Sequence, residues 1–259
     1  MKPLAAVLAL LVVLPAAAQS SDEPLPVLLV VANQDFYWRE YAEPREELEK
    51  AGLRVEVAAG RKATCRPHPN TGQGSSSGEV EPDLALSDVD ASRYSAIAFV
   101  GGWGASSYQF AFPGRYRNGG YNGEKAGKEA ANRLIAAFLK QDRIVAGICH
   151  GISVLAWARV GGKSPLAGRR TAALPGSPAM SVEGRNYDDW GLDGRWHVET
   201  NGGRMADPHS IGDPATADDD VVVDGKIVTA ENYDSGREFG RALAREIRRL
   251  LKSAGDGLT

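Results

Sequence analysis

The chain has 259 residues, is 43% hydrophobic and 24% charged, and carries a formal net charge of −3. That length and balance suit one soluble unit with a sizeable core. They exclude a basic nucleic-acid binder, and 30 glycines with 14 prolines are too few for wholesale disorder.

Residues 1–18 open on Met1-Lys2, continue as a short apolar run broken at Pro15, and end in Ala16-Ala17-Ala18. The pattern predicts a secretory signal peptide and an exported protein, periplasmic or extracellular. An uncleaved anchor is the alternative, disfavoured because the run is short for a bilayer. No membrane attachment is expected once the signal is removed. Residues 19–26 form a polar lead-in.

One domain is expected over 27–252. The apolar run 27–32 reads as a strand buried on both faces. Pro44 suits the first turn of a helix reaching about Lys50, where Gly52 ends it. A strand at 53–58 completes a β-α-β unit, which favours parallel pairing. The glycine- and serine-rich stretch 65–81 reads as a loop or flap, and 94–100 as a strand ending at Gly101-Gly102. A helix over 125–140 places Ala130, Leu134, Ala137 and Phe138 on one face. Then come a strand at 143–148, a turn at Cys149 and a helix over about 151–160. A short strand is expected at 171–173 and an irregular insertion at about 181–214. A hairpin turns at Asp224-Gly225, and a last helix over about 235–251 turns Phe239, Leu243, Ile247 and Leu250 inward. This alternation predicts an α/β three-layer sandwich with a mostly parallel sheet. Ligands in such sheets bind beyond the carboxyl ends of the strands. The loop after Ala32, Gly102 and Cys149 all fall at that edge.

Gly147-Ile148-Cys149-His150-Gly151 has the G-x-nucleophile-x-G pattern of a strand-to-helix elbow. The glycines let backbone pass close on both sides of the turn. A following helix aims N–H groups at the sulfur, favouring a thiolate able to attack a carbonyl carbon. The alternative is a small, buried, inert cysteine. The His150 N–H is a natural oxyanion donor, and Gly102 on the neighbouring strand end supplies a second. Two cysteines in an exported protein can also pair, and a Cys65–Cys149 disulfide would rule out Cys149 as a resting nucleophile.

These residues resemble the ThiJ/PfpI family, within the flavodoxin-like, class I glutamine amidotransferase-like folds. The marks are Ala146-Gly147-Ile148-Cys149-His150-Gly151, the Gly101-Gly102 turn, and the terminal "VVVDGKIVTAENYDSGREFGRALAREI". The family places an acid four residues before a helix-starting proline. Glu40 stands four before Pro44, so the resemblance makes Glu40 the carboxylate touching the cysteine. It also implies activity on small reactive carbonyls without a cofactor, and a homodimer. The peptidase-like branch has an acid after the Gly-Gly turn that orients the histidine; here "GGWGASS" places Ser106 in that region. Another branch has a histidine on the strand after the elbow helix, where this chain offers Leu174.

The expected catalytic set is therefore Cys149, Glu40 and His150, with Gly102 and His150 as the oxyanion hole and a small carbonyl compound as substrate. Trp103 and Tyr108 are pocket candidates. His197-Val198-Glu199 matches the H-x-E pair of cysteine amidohydrolases, and is equally a common tripeptide. Cys65 and His68 make only half a zinc site, so no metal is expected. A non-enzymatic redox sensor using the same thiol, and an amidohydrolase or peptidase-like hydrolase, are the alternative functions.

Overall fold

A computed structural model describes residues 24–174, 194–206 and 220–256. The signal peptide expected at 1–18 and most of the insertion expected at about 181–214 lie outside these residues. The strands are β1 (Val27–Val30), β2 (Gln34–Phe36), β3 (Val55–Ala59), β4 (Arg66–Pro67), β5 (Leu84–Ala85), β6 (Ala96–Phe99), β7 (Ile144–Ile148), β8 (Arg170–Thr171), β9 (Arg204–Met205), β10 (Val221–Asp224) and β11 (Ile227–Ala230). The helices are α1 (Trp38–Lys50), α2 (Lys125–Lys140), α3 (Gly151–Trp157), α4 (Gly194–Thr200) and α5 (Gly236–Asp256).

Seven strands form the main sheet in the order β10-β11-β7-β6-β1-β3-β5. All neighbours pair in parallel except the β10–β11 hairpin at one edge. The order reverses between β1 and β6, which opens a crevice at their carboxyl ends.

Alternation along β1 divides the core. Val27, Leu29 and Val31 face the layer of α1 and α5, with Phe239, Leu243 and Ile247. Leu28, Val30 and Ala32 face α2 and α3, with Leu134, Ile135, Phe138 and Val154. The three-layer α/β expectation holds.

Helix α1 starts at Trp38, six residues before Pro44. The reason lies outside the helix. Thr71, from the 65–81 stretch, accepts the Trp38 N–H on Oγ1 at 3.1 Å and the Arg39 N–H on its carbonyl at 3.3 Å. That satisfies N–H groups otherwise orphaned at a helix start. Pro44 therefore lies inside the helix, where it cannot donate to the Glu40 carbonyl. Helix α3 stops at Trp157 because Ala158 turns extended (φ −67°, ψ 157°). Within the insertion, α4 and β9 are regular where irregular chain was expected.

Candidate active site

The elbow at the end of β7 is built as its glycines require. Cys149 has φ +52°, a left-handed conformation that β-carbon residues rarely hold and that marks functional strain. Its N–H donates to the Ala230 carbonyl of β11 at 2.9 Å. A β-carbon on Gly151 would lie 2.2 Å from the Phe99 carbonyl oxygen, and one on Gly147 3.0 Å from the Gly151 oxygen. Only glycine admits the approach at 151, and at 147 a side chain would be tight.

Gly102, after β6, has φ +86° and packs against the Asp35–Tyr37 backbone, where a β-carbon would meet atoms at 2.5 Å. The Tyr37 N–H donates to the Gly101 carbonyl at 3.1 Å. So the β6 turn and the start of α1 are fixed to each other. That contact brings Glu40, in the first turn of α1, beside the elbow.

The backbone N–H groups of Gly102 and His150 lie close enough to the Cys149 sulfur to pull its pKa down. These are the two N–H groups that the sequence marks as candidate oxyanion donors. The Glu40 carboxyl is fully buried. Neither of its oxygens makes a protein hydrogen bond of ordinary geometry. The Cys149 thiol and the Gly101 N–H are the polar groups that act on it, with Arg39 farther off. Burial is the larger influence and pushes the acid from 4.5 to about 8.

The thiol departs from the expected low pKa. Burial pushes it up, and the charge and hydrogen bonding of Glu40 push the same way, against the pull of the two N–H groups. The Glu40 contribution applies while that carboxyl is ionised. Once Glu40 holds the proton, its O–H is a donor facing the sulfur. Cys149 and Glu40 are thus one coupled acid pair.

The His150 imidazole does not join this pair. Its Nε2 lies 2.7 Å from Ser106 Oγ, and the contact is buried. Trp103 packs 5.1 Å from its ring centre and His197 5.2 Å. Burial alone holds it down to about 4, so it is neutral. The turn sends the Cys149 and His150 side chains in different directions, and only the His150 backbone reaches the sulfur. Ser106 occupies the orienting role that the missing acid left open.

His197 sits on α4 and accepts the Trp157 Nε1–H on Nδ1 at 2.8 Å. It is buried against His150 rather than Cys149. Glu199 instead bonds Arg195 at 2.9 Å. Two residues apart on a helix, the two side chains point to different sides, so the H-x-E pair does not assemble.

Trp103 walls His150, but Tyr108 does not wall the thiol. Its hydroxyl accepts from the Gly60 N–H at 2.7 Å and donates to the Val31 carbonyl at 2.8 Å, bracing β1 against β3. A cavity of about 700 Å³ lies there, lined by residues that include Asn33, Gln34, Arg61, Tyr108 and Gly120. None of Glu40, Gly102, Cys149 or His150 borders it. The candidate site is therefore defined by the thiol and not by this cavity. Cys65 is buried and Cys149 partly exposed, and both are free thiols, so the alternative of a Cys65–Cys149 disulfide is not what the structure has. Each is held by a different loop, Cys65 bridging Val80.

Sequence reasoning missed Tyr37 and Tyr233. Their rings stack at 4.9 Å with planes 2° apart. The only local signal was Tyr37 preceding Glu40 by one helical turn.

Residues 118–246 match the DJ-1/PfpI family. An uncharacterized protein of Methanocaldococcus jannaschii is 26% identical over 224 residues, 85% of this chain and 82% of that protein. Among solved structures, a ThiJ/PfpI domain protein from Brachyspira murdochii superposes with TM-score 0.61 at 23% identity, over 88% of this chain and 98% of that one. Drosophila melanogaster DJ-1beta gives 0.57 at 18%, over 89% and 97%. A glyoxalase III from Candida albicans gives 0.58 at 16%, over 85% and 96%.

Proposed function

We propose that this chain, which belongs to the DJ-1/PfpI family, is a cysteine-dependent enzyme acting on small reactive carbonyl compounds of the methylglyoxal kind. The observation that carries the reading is one strained cysteine at the end of β7 with a fully buried Glu40 carboxyl packed beside it across Gly101. The fold shared with a glyoxalase III supports it.

As the sulfur attacks an aldehyde carbon, Glu40 takes the thiol proton. The C–S bond forms and the carbonyl π pair moves to oxygen, between the Gly102 and His150 N–H groups. Glu40 returns the proton to that oxygen, giving a hemithioacetal. With a 2-oxoaldehyde, Glu40 then moves a proton from C1 to C2 through an enediol. The aldehyde carbon is oxidised to a thioester and the ketone is reduced to an alcohol. Water cleaves the thioester, releasing a 2-hydroxy acid and the thiol. The redox change is internal to the substrate, so the sequence needs no external electron acceptor. An exported location belongs to the same reading, and the N-terminal sequence of the mature protein tests it.

The test is turnover of methylglyoxal by the domain from residue 24 onward. The wild type should form lactate and Cys149→Ala should not. Equal activity in the two overturns the reading.

A second reading uses the same geometry. A peroxide would oxidise the Cys149 thiolate, the O–O bond breaking to leave a sulfenic acid and hydroxide, and a second peroxide would carry it to a sulfinic acid. A protonated Glu40 facing the sulfur favours it. A stable two-oxygen adduct at Cys149 without any carbonyl turnover would select this reading.

A further inference from the structure

The sheet order places β6 and β7 between β1 and β11. Cys149 ends β7 and Gly101-Gly102 end β6, so the thiol lies between the loops that follow the outer two strands. Neighbouring strands are about 4.8 Å apart, so β1 and β11 are separated by roughly 14 Å. Tyr37, before α1, and Tyr233, before α5, stack across that gap at 4.9 Å.

Both tyrosines are tied to the site. The Tyr37 N–H is bonded to Gly101. Tyr233 stands three residues beyond Ala230, the acceptor of the Cys149 N–H. Arg39 closes the arrangement, its guanidinium 5.0 Å over the Tyr233 ring. The same guanidinium bonds Asp234 at 3.3 Å and Glu43 at 2.8 Å. Asn232 caps the Tyr233 turn by accepting the Asp234 N–H at 2.8 Å. Two loops, two Arg39 ion pairs and a cation–π contact hold this one ring stack.

We infer that Tyr37 and Tyr233 form an aromatic gate over Cys149, which admits compounds of methylglyoxal size and excludes aryl or bulkier carbonyls. The proposal rests on Cys149 as the reactive thiol and names the substrate class for the site. Burial, followed by Tyr233 and Glu40, pushes the Tyr37 phenol up to about 12, with Cys149 also raising it. That supports a phenol lying close to the acid pair.

The gate is tested by alkylation of the full chain, with the modified cysteine identified by peptide mass. Iodoacetamide is the small reagent and N-(1-pyrenyl)maleimide the bulky one, each rate normalised to glutathione. Cys65, fully buried, serves as the unreactive internal reference. In the wild type, Cys149 should discriminate against the maleimide. A stacked aromatic pair is worth enough that Tyr233→Ala should speed the maleimide by about threefold to tenfold and leave iodoacetamide nearly unchanged. Tyr233→Phe should keep wild-type discrimination. Should Tyr233→Ala fail to fold, Tyr37→Leu gives the same comparison from the other ring. No discrimination in the wild type, or unchanged discrimination in a folded ring-deletion variant, overturns the gate. Alkylation reads the gate whether or not Cys149 turns over a carbonyl, so this result and the methylglyoxal result fail independently.

Discussion

Ser106 Oγ lies 2.7 Å from His150 Nε2 in a buried contact, and it turns the imidazole away from the thiol it adjoins in sequence. On the proposed reading, His150 then acts on the oxyanion through its backbone N–H alone. His150→Asn keeps that N–H. It should lower kcat/KM for methylglyoxal by less than about tenfold, whereas loss of a side-chain general base costs about 10²–10⁴-fold. Steady-state kinetics of the two variants, His150→Asn beside Cys149→Ala, separate these outcomes.

Ser106→Ala removes the one hydrogen bond shown for the His150 ring. A buried ring nitrogen without a partner costs about 1–3 kcal/mol. Thermal melting should fall accordingly, with Ser106→Thr recovering part of the loss by restoring the hydroxyl. Unchanged melting in Ser106→Ala would mean that water replaces the hydroxyl.

Gly101 separates the two halves of the acid pair. A β-carbon there would sit 2.2 Å from Glu40 Oε2 and 2.8 Å from both Cys149 Cβ and the Ile148 carbonyl oxygen. Two of those neighbours cannot swing aside. Gly101→Ala should lose at least about 1–3 kcal/mol of stability, as overpacked cores do, and should lose methylglyoxal turnover as well. Gly127, in α2, meets nothing within 4 Å. Gly127→Ala should be neutral or stabilising by up to about 1 kcal/mol. Melting curves of the pair make the contrast.

The sequence reveals what local chemistry controls. The apolar runs of β1, β6 and β7 are buried on both faces and declare themselves by composition. The glycines around Cys149 announce the elbow because a side chain at 151 would strike the Phe99 carbonyl and one at 147 would be tight. Glu40 comes from the family resemblance, which locates it four residues before Pro44, although Pro44 does not start the helix. The α1 start was hidden because its cap, Thr71, comes from 33 residues away. The direction of the His150 ring was hidden because Ser106 and His197 fix it through long-range packing. The Tyr37–Tyr233 stack was invisible for the same reason: it depends on two strands lying outside β6 and β7, a property of sheet order rather than of either loop.

Glu40 sets the pH behaviour. Its carboxyl rises from 4.5 to about 8 because burial disfavours the charge. The folded protein therefore binds this proton more tightly than the unfolded chain. The resulting stability is complete below the unfolded value and is lost as pH rises through about 8. At full ionisation the penalty approaches about 5 kcal/mol. Glu40→Gln cannot ionise and escapes it. The variant should melt near the wild type at pH 5 and above it at pH 9, the gap opening between those values. Turnover should move oppositely. Proton transfer from the thiol needs the ionised carboxylate, so wild-type kcat/KM should rise with pH toward about 8. Glu40→Gln should lose that rise together with most of the activity. A variant that melts higher at alkaline pH yet keeps the wild-type rate profile would leave Glu40 a buried acid with no part in catalysis.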